Sequence, residues 1–392
     1  MHISDEDDVS WILTPDLITE ILSWLPVKIL GRFRCVCKYW KLLIFEPTFA
    51  KLHHQRSPKH THTLLTLFGV VNDSETWVVA PHSVRRLLEH PSSPIKEEEC
   101  WRFKDETYYA IGCVNGLVCL IDYESQEDGK RKICIRFWNP TLRLRSQKSP
   151  ILYETPSDLC VHLGFGYDDS GDIYKVVTVF WDHTEEKWEV RVHCMGDNCW
   201  RKILTYPDCS TLLGTLVGSF LNGSVNWLAL TNLNCPDYEL EDVIMDQLVI
   251  FSFDLRNETY EFMSLPDGFG EKPPDEPALD VLRDCLCLSY DHMKTHFVLW
   301  EMREFGVHES WTKIVNVSYV QLHFFDLMSE WLLFPVSLSG DLLLLAIKET
   351  CDGVILCNPI DGKVQHIELP NCKIMYAEEH MQSLVLPRPL PH

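Results

Sequence analysis

Residues 13–28 read Leu-Thr-Pro-Asp-Leu-Ile-Thr-Glu-Ile-Leu-Ser-Trp-Leu-Pro-Val-Lys, and this stretch decides the fold of the N-terminal part of the chain. Thr14 is a suitable helix N-cap, and Pro15 suits the first helical position. Apolar residues then recur with helical spacing until Pro26 ends the helix. The stretch therefore predicts an amphipathic helix whose apolar face carries Leu17, Ile18, Ile21, Leu22 and Leu25.

A second helical pattern follows and runs to Pro47. We expect Gly31 to divide it into two helices, and Phe49 and Leu52 to form a last short turn. Residues 26–53 contain six basic residues against one acidic residue, Glu46, in a chain that is otherwise acidic, which suggests an acidic partner. The apolar positions of the second pattern are Ile29, Leu30, Phe33, Val36, Cys37, Trp40, Leu43 and Ile44.

Two interpretations of these helices remain open. The apolar faces could simply pack on each other in a small helical subdomain, with the basic residues on its solvated surface. Alternatively, some of them face a partner protein, because about 40 residues rarely bury enough apolar surface to fold unaided.

The residues of these segments resemble the F-box of plant F-box proteins. The resemblance is carried by residues 13–28, by Arg32-Phe-Arg-Cys-Val-Cys-Lys-Tyr-Trp and by Pro47-Thr-Phe-Ala-Lys-Leu-His. It implies a three-helix module that binds the Skp-family adaptor, and through it a cullin, in a Skp–cullin–F-box ubiquitin ligase. The chain departs from the family pattern at Thr14 and Gly31, so adaptor affinity could differ. By this resemblance, the residues with packing or adaptor-contact roles are Leu13, Pro15, Leu17, Ile21, Leu22, Leu25, Pro26, Val27, Leu30 and Trp40.

Composition limits the classes of partner and the location. The chain has 392 residues, 46% of them hydrophobic, and a formal net charge of −22. This charge would repel nucleic acid and anionic membranes, so we expect neither as a partner. Residues 1–8 are acidic and do not resemble a secretory signal, and the longest apolar run, 342–347, is too short to span a bilayer. We expect a cytoplasmic protein, a nuclear protein or both.

The cysteines and histidines indicate no metal site or cofactor. The 16 cysteines include no C-x-x-C pair, so we interpret them as free thiols in a reducing compartment. His53, His54, His60 and His62 cluster between the two predicted domains. Such a cluster could bind metal, but without cysteine support a solvated linker is favoured.

Beyond about residue 62, short strand-like runs alternate with turn residues, and similar phrases recur along the chain. Hairpin landmarks at Asn139, Trp200, Asp254, Trp311 and Asn358 are separated by 47 to 61 residues, a period near 55. This period predicts a β-propeller of five or six blades, with a strand pair at 62–81 in an extra blade that Leu384–Leu386 closes. The recurring phrases are Asn115-Gly-Leu-Val and Asn222-Gly-Ser-Val; Trp138-Asn-Pro-Thr and Cys357-Asn-Pro-Ile; Phe165-Gly-Tyr-Asp and Leu288-Ser-Tyr-Asp; and Trp200-Arg-Lys-Ile and Trp311-Thr-Lys-Ile.

This region also resembles the F-box-associated domain of plant F-box proteins, of the F-box/kelch-repeat type. The kelch comparison is loose, because kelch blades usually carry a Gly-Gly pair and this sequence has none. The predicted fold is α+β by domain, with a three-helix F-box followed by an all-β, kelch-like propeller. The predicted boundaries are 12–53 for the F-box, 54–61 for a linker, 62–386 for the propeller, and 1–11 and 387–392 for flexible tails.

No catalytic motif accompanies this fold. The sequence contains no P-loop, G-x-S-x-G, H-E-x-x-H or G-x-G-x-x-G pattern. We therefore expect a non-catalytic subunit that selects a protein substrate for ubiquitination. The alternatives are an adaptor-binding scaffold without ligase output and a propeller-fold enzyme. The substrate and the residues that bind it are unknown from the sequence; the acidic stretches 237–246 and 271–276 could contact a basic target, although solvated loops are the simpler interpretation.

Overall fold

The structure is a computed structural model. It describes residues 14–71, 74–89, 101–102, 108–125, 131–154, 161–182, 187–203, 210–213, 216–231, 243, 245–268, 276–322, 333–339, 342–347, 353–358, 360–368 and 372–387. Among these residues, no helix is long and apolar enough to cross a membrane.

The continuously described segment 14–61 contains four helices: α1 (Pro15–Ser23), α2 (Val27–Phe33), α3 (Lys38–Ile44) and α4 (Pro47–Arg56). The expectation of three helices divided at Gly31 is wrong. Gly31 lies inside α2, and the break falls at residues 34–37, where the Cys37 side chain accepts the amide of Trp40 and caps α3. The predicted short turn after Pro47 is a ten-residue helix, because Phe49, Ala50 and His53 recur on one buried face.

The helices are followed by a β-propeller, as predicted. The described strands form six blades, and the first strand of each blade lies against the first strands of its neighbours around a central axis. Blades 3 and 4 are joined by a short parallel pairing of their first strands.

From the axis outward, blade 1 contains β26 (Cys372–His380), β1 (His62–Val71), β2 (Ser74–Ser83) and β3 (Trp101–Arg102); blade 2 contains β4 (Tyr108–Val114), β5 (Leu117–Ser125), β6 (Arg131–Asn139) and β7 (Leu144–Arg145). Blade 3 contains β9 (Val161–Asp168), β10 (Ile173–Asp182), β11 (Lys187–Cys194) and β12 (Arg201–Lys202); blade 4 contains β14 (Val217–Leu221), β15 (Ser224–Thr231), β16 (Leu248–Asp254) and β17 (Thr259–Ser264). Blade 5 contains β18 (Ala278–Leu282), β19 (Cys285–His292), β20 (His296–Met302) and β21 (Trp311–Ser318); blade 6 contains β22 (Leu333–Ser339), β23 (Leu342–Ile347), β24 (Gly353–Cys357) and β25 (Val364–Glu368). Two short strands, β8 (Leu152–Glu154) and β13 (Ser210–Leu212), add to blades 2 and 4, and the helix α5 (Val84–Glu89) follows β2.

The ring is closed by β26, which pairs antiparallel with β1 from His62↔His380 to Gly69↔Cys372. The prediction that Leu384–Leu386 closes this blade is wrong. These residues follow the closing strand, and a strand of nine residues already supplies the missing inner edge of blade 1. Closure in this way leaves β1 with a partner on both sides and removes an exposed strand edge.

Each pair of adjacent blades shares one apolar core. Trp138 of blade 2 packs with Leu64 and Val79 of blade 1, and Trp227 of blade 4 packs with Val177 and Trp188 of blade 3. The core between blades 6 and 1 joins Leu344 and Val354 to Leu65 and Ile374, so the ring of cores is complete.

The repeated phrases prove to be hairpin elements. Asn115-Gly116 and Asn222-Gly223 are the turns between the first and second strands of blades 2 and 4, and all four residues have positive φ, as a type I′ turn requires. The corresponding turn of blade 5 is formed by Arg283 and Asp284. We call the end of the propeller that carries these inner turns the helix-proximal face, and the opposite end the far face.

Candidate functional site

Helix α1 carries two apolar stripes. The Thr14 side chain accepts the amide of Leu17 at 3.3 Å, so the predicted N-cap is confirmed. Ile18, Leu22 and Leu25 pack into the core of the helical module, with Leu22 only 1% exposed. Each of these core residues is preceded by another apolar residue: Leu17, Ile21 and Trp24. Because consecutive residues of an α-helix are about 100° apart around its axis, these three residues face away from the core. We call these three residues the outer stripe of α1.

The outer stripe is exposed to solvent. Leu17, Ile21 and Trp24 have 43%, 48% and 63% of their surface accessible. Trp24 is nevertheless held in place: its indole N–H donates to Glu20 at 3.2 Å, and the Arg56 guanidinium stacks over its ring at 4.9 Å. Arg56 also pairs with Glu20 at 2.9 Å, which ties α1 to α4. The stripe is thus a preorganised apolar surface, and surfaces of this kind mark interaction sites.

A second exposed apolar set lies on and before α3. Val36, Tyr39 and Leu42 recur every three residues and are 61%, 45% and 63% exposed. We call them the outer stripe of α3. Four basic residues of the module are exposed near these helices: Lys28, Arg32, Lys38 and Lys41. Lys51 instead forms an ion pair with the propeller.

The predicted docking residues divide into three groups in the structure. Three of them, Leu22, Val27 and Leu30, are fully buried and form the module core, with Leu25 and the partly buried Trp40 packed against it. Pro15, Leu17, Ile21 and Pro26 are exposed, and Leu13 lies outside the described residues. The sequence reasoning did not single out Trp24, Tyr39 or Leu42. Trp24 could have been found, because it lies seven residues after Leu17 on the same helix face.

The helical module is fixed to the helix-proximal face by the segment that follows β26. Leu384 is 1% exposed and belongs to the module core, beside Leu22, Phe49 and Ala50. This segment is held by Asn139, whose side-chain amide donates to Ser383 O at 3.0 Å and to Val385 O at 2.8 Å. Asn139 of the Trp138-Asn-Pro-Thr phrase therefore does more than form a turn, because it positions Leu384 for the F-box helices.

Ion pairs reinforce the same junction. Lys51 of α4 lies 2.7 Å from Asp172 of blade 3, and Lys59 lies 2.7 Å from Asp284 of blade 5. His60 lies 2.6 Å from Glu379 on the closing strand. Helix α4 and the linker thus contact three different blades, and single exposed pairs of this kind contribute at most about 1 kcal/mol each.

The histidine cluster is a set of structural contacts. His53 is 3% exposed, and its Nε2 atom lies 2.8 Å from the carbonyl oxygen of Leu25, at the C-terminal end of α1. Burial lowers the pKa of His53 and of His54, so both are neutral at physiological pH. The interpretation of this cluster as solvated linker is wrong for His53, which lies within α4 and faces the module core. Within the described residues no group of three His, Cys, Asp or Glu side chains has the geometry of a metal site.

One cysteine–histidine contact lies on the propeller axis. Cys113 Sγ is 3.1 Å from His380 Nδ1, a spacing that would suit a nucleophile and its base. Burial raises the pKa of the Cys113 thiol well above its ordinary value and lowers the pKa of His380 to about 3. The thiol therefore stays protonated and the imidazole neutral, which does not match an activated nucleophile.

Comparison with known proteins agrees with this architecture. The F-box domain model matches residues 12–51, and the F-box associated beta propeller domain model matches residues 66–385. The F-box/kelch-repeat protein At3g23880 of Arabidopsis thaliana is 28% identical over 307 residues, covering 77% of this chain and 78% of that protein. The F-box protein CPR1 of the same plant is 25% identical over 329 residues, covering 77% and 72%.

Solved structures are more distant. The match to a cobalt-substituted Synechocystis ACO covers 80% of this chain and 73% of that one, with a TM-score of 0.40 and 8% identity. The β-propeller domain of the Trilobed protease from Pyrococcus furiosus covers 68% and 72%, with a TM-score of 0.33 and 13% identity. The two family models together span most of the chain, and they match the helical module and the closed ring of blades, respectively. The chain therefore belongs to the F-box proteins that carry an F-box associated β-propeller domain.

Proposed function

We propose that this protein is a substrate-recognition subunit of a Skp–cullin–F-box ubiquitin ligase. The F-box helices bind a Skp-family adaptor, and through it a cullin, while the propeller binds the protein to be modified. The subunit makes no covalent change itself; it holds the target close to the ubiquitin-charged partner, which raises the effective concentration of the reactants. We expect this activity in the cytoplasm, the nucleus or both.

The observation that carries the proposal is the outer stripe of α1. A helix that packs one apolar stripe in its own core has no structural need for a second one facing water. Leu17 and Ile21 supply exposed aliphatic surface, and the fixed Trp24 supplies the kind of aromatic anchor that dominates binding energy at interfaces. The exposed basic residues of the module would attract an acidic adaptor surface and speed association.

The topology supports a proposal for the target-binding side. The F-box module and its linker occupy the helix-proximal face of the propeller. Strands β15 and β17 run from that face and end on the far face at Thr231 and Ser264, and the two acidic stretches follow these strands in the sequence. Most of those stretches, 237–242, 244 and 271–275, lies outside the described residues. We propose that the target binds on the far face, where loops can vary without disturbing the module.

Binding of the purified chain to a Skp-family adaptor tests the docking part. Leu17→Asp or Ile21→Asp would place a charge in the interface, so we expect adaptor affinity to fall on the order of 100-fold. Leu216→Asp is the matched control, because Leu216 is 47% exposed and immediately precedes β14 on the propeller. Leu22→Asp is unsuitable as a test, since Leu22 is a core residue and its loss would unfold the module. Undiminished binding of both stripe variants would refute the docking surface.

Ligase output needs a separate measurement. In a reconstituted reaction with adaptor, cullin and a charged conjugating enzyme, the wild-type chain should be modified and the Leu17→Asp variant should not. Adaptor binding without cullin recruitment or ubiquitin transfer would instead indicate a scaffold.

A further inference from the structure

A cavity of about 360 Å³ lies on the propeller axis and opens at the helix-proximal face. We call it the axial cavity. Its volume falls within the range of small-molecule sites. Residues from the linker, from four inner strands and from three inner turns line it, including Lys59, His60, Cys113, Asn222, Glu378 and His380.

The charged groups of the axial cavity are unevenly paired. Lys59 is neutralised by Asp284, and His60 lies against Glu379. Glu378 has no cationic partner within the part of the chain that the structure describes, and its buried Oε2 atom accepts no hydrogen bond there. Asp280, similarly without a described cation, lines a second cavity of about 30 Å³ that shares Glu378 with the first. The axis therefore contains two carboxyl groups that no described cation neutralises.

His380 adds an independent feature. The residue is only 3% exposed, and its Nδ1 atom lies 3.1 Å from Cys113 Sγ. Its Nε2 atom is buried and has no hydrogen-bonding partner among the described residues. Buried polar atoms without partners cost about 1–3 kcal/mol each, and they gain most from a ligand that supplies the missing bond. His380 and Glu378 lie two residues apart on β26, so their side chains are on the same side of the strand.

We propose that the axial cavity is a binding site for a small organic cation. A primary ammonium group of the ligand pairs with the Glu378 carboxylate, and a second polar group of the ligand bonds to His380 Nε2. The ligand also contacts Lys59 and His60, so it bridges the linker and the propeller at the junction that orients the F-box.

The pKa of Glu378 makes the proposed binding dependent on pH. Burial and the nearby carboxylates of Asp280 and Glu379 raise the pKa of this carboxyl to about 8, although the amide of Cys113 acts to lower it. A bound cation would stabilise the ionised form, as an opposite charge within a few ångströms does. The groups that face Glu378 are Asp280 on β18, Tyr376 and Glu379 on β26, Cys113 on β4 and Cys119 on β5.

Calorimetric titration of the full chain at about pH 8 tests the proposal, with putrescine as the probe and 1,4-butanediol as an uncharged molecule of the same length. We expect putrescine to bind with a Kd below about 1 mM and butanediol at least tenfold more weakly. Glu378→Gln, which keeps the shape of the side chain, should weaken putrescine at least tenfold. Glu261→Gln is the control, because Glu261 lies exposed on the outermost strand of blade 4.

Putrescine binding that Glu378→Gln leaves unchanged would overturn the proposal, as would equal binding of the two probes or no binding of putrescine up to about 10 mM. The comparison of the two probes on the wild-type chain decides the question even where the variant fails to fold. Adaptor binding is not part of this readout, so its outcome is separate from the test of the proposed function.

Discussion

At the scale of single residues, the junction between the two domains depends on a few side chains with unusual positions. Asn139 is completely buried, and its amide connects the end of β6 with residues 383–385. Its Oδ1 atom also accepts the amide of Leu142, a residue that packs against the F-box core. One side chain therefore joins blade 2, the segment after β26 and the helical module.

Asn139→Ala should lower the free energy of unfolding by about 2–3 kcal/mol, because one buried and two partly buried hydrogen bonds lose a partner. Residues 381–387 should also exchange amide hydrogens faster. Asn358→Ala is the matched control: Asn358 occupies the corresponding Asn-Pro position of blade 6, but its Oδ1 atom accepts the nearby amides of Ile360 and Asp361, within its own turn. Equal effects of the two substitutions on exchange at 381–387 would contradict the role of Asn139.

Gly116 offers a second comparison at this scale. It has φ +76°, and a Cβ atom there would lie 2.3 Å from Ser383 Cβ and 2.5 Å from Met381 O. Gly223 occupies the same turn position in blade 4 with φ +80°, but nothing lies within 4 Å of its Cβ position. Gly223→Ala should cost about 1–2 kcal/mol from backbone strain alone, and Gly116→Ala clearly more, because it also displaces the segment that carries Leu384. Chemical denaturation of the two variants measures the difference; equal losses would show that the close approach is unimportant.

At the scale of elements, α1 and β26 each serve two purposes. Helix α1 uses one stripe for the module core and leaves the other for a partner. Strand β26 completes blade 1 and places Glu378 and His380 on the axis, and the segment after it inserts Leu384 into the F-box. The closing strand therefore links the fold of the propeller to the position of the docking helices.

Ending the chain after residue 371 should abolish cooperative folding of the propeller, because blade 1 would lose its inner strand and the core shared with blade 6 would lose Ile374 and Ala377. Ending it after residue 387 is the control, since β26 and Leu384 are retained. Circular dichroism and thermal unfolding of both truncations provide the measurement. A cooperative transition in the shorter chain would mean that closure by β26 is dispensable.

At the scale of the whole molecule, the ring buries carboxyl groups on its axis at a cost in stability. Burial raises the pKa of Asp280 to about 7 and that of Glu378 to about 8. In the unfolded chain the pKa values of Asp and Glu are about 3.9 and 4.3. At a pH between the unfolded and the folded pKa, each carboxyl is therefore protonated in the folded chain and ionised in the unfolded chain. The free energy of unfolding therefore falls as the pH rises from about 4, and this contribution is fully lost once the pH passes about 7 for Asp280 and about 8 for Glu378.

Glu378→Gln should consequently raise the free energy of unfolding at about pH 8.5 relative to wild type, by on the order of 1 kcal/mol or more, and have little effect near pH 4. Asp280→Asn should behave in the same way with a midpoint about one pH unit lower. Urea denaturation across this pH range measures both. A pH profile for Glu378→Gln that is identical to that of the wild type would refute the assignment.

The sequence by itself determined the features that depend on neighbours along the chain. The N-cap at Thr14, the end of α1 before Pro26, the Asn-Gly turns and the near-55-residue period all follow from local preferences and periodicity, and the structure confirms them. The resemblance of residues 13–28 and of the repeated phrases to F-box proteins was confirmed by the family matches. The error at Gly31 has the same local origin: glycine lowers helix propensity, but the core contacts of Val27 and Leu30 outweigh that loss within α2.

Only the tertiary structure decided which apolar residues face solvent and what the last strand pairs with. Leu22 and Ile21 are adjacent in sequence and equally apolar, yet one is 1% and the other 48% exposed, because that difference depends on how α4 and Leu384 pack. Likewise, Gly164 and Gly218 are far apart in the chain, but the absence of side chains at both lets the inner strands of blades 3 and 4 pair closely beside Trp227. Contacts between residues distant in sequence leave no signal in the local sequence. Such contacts produce the closure of the ring by residues 372–380, the axial cavity and the hydrogen bonds from Asn139 to residues 383 and 385.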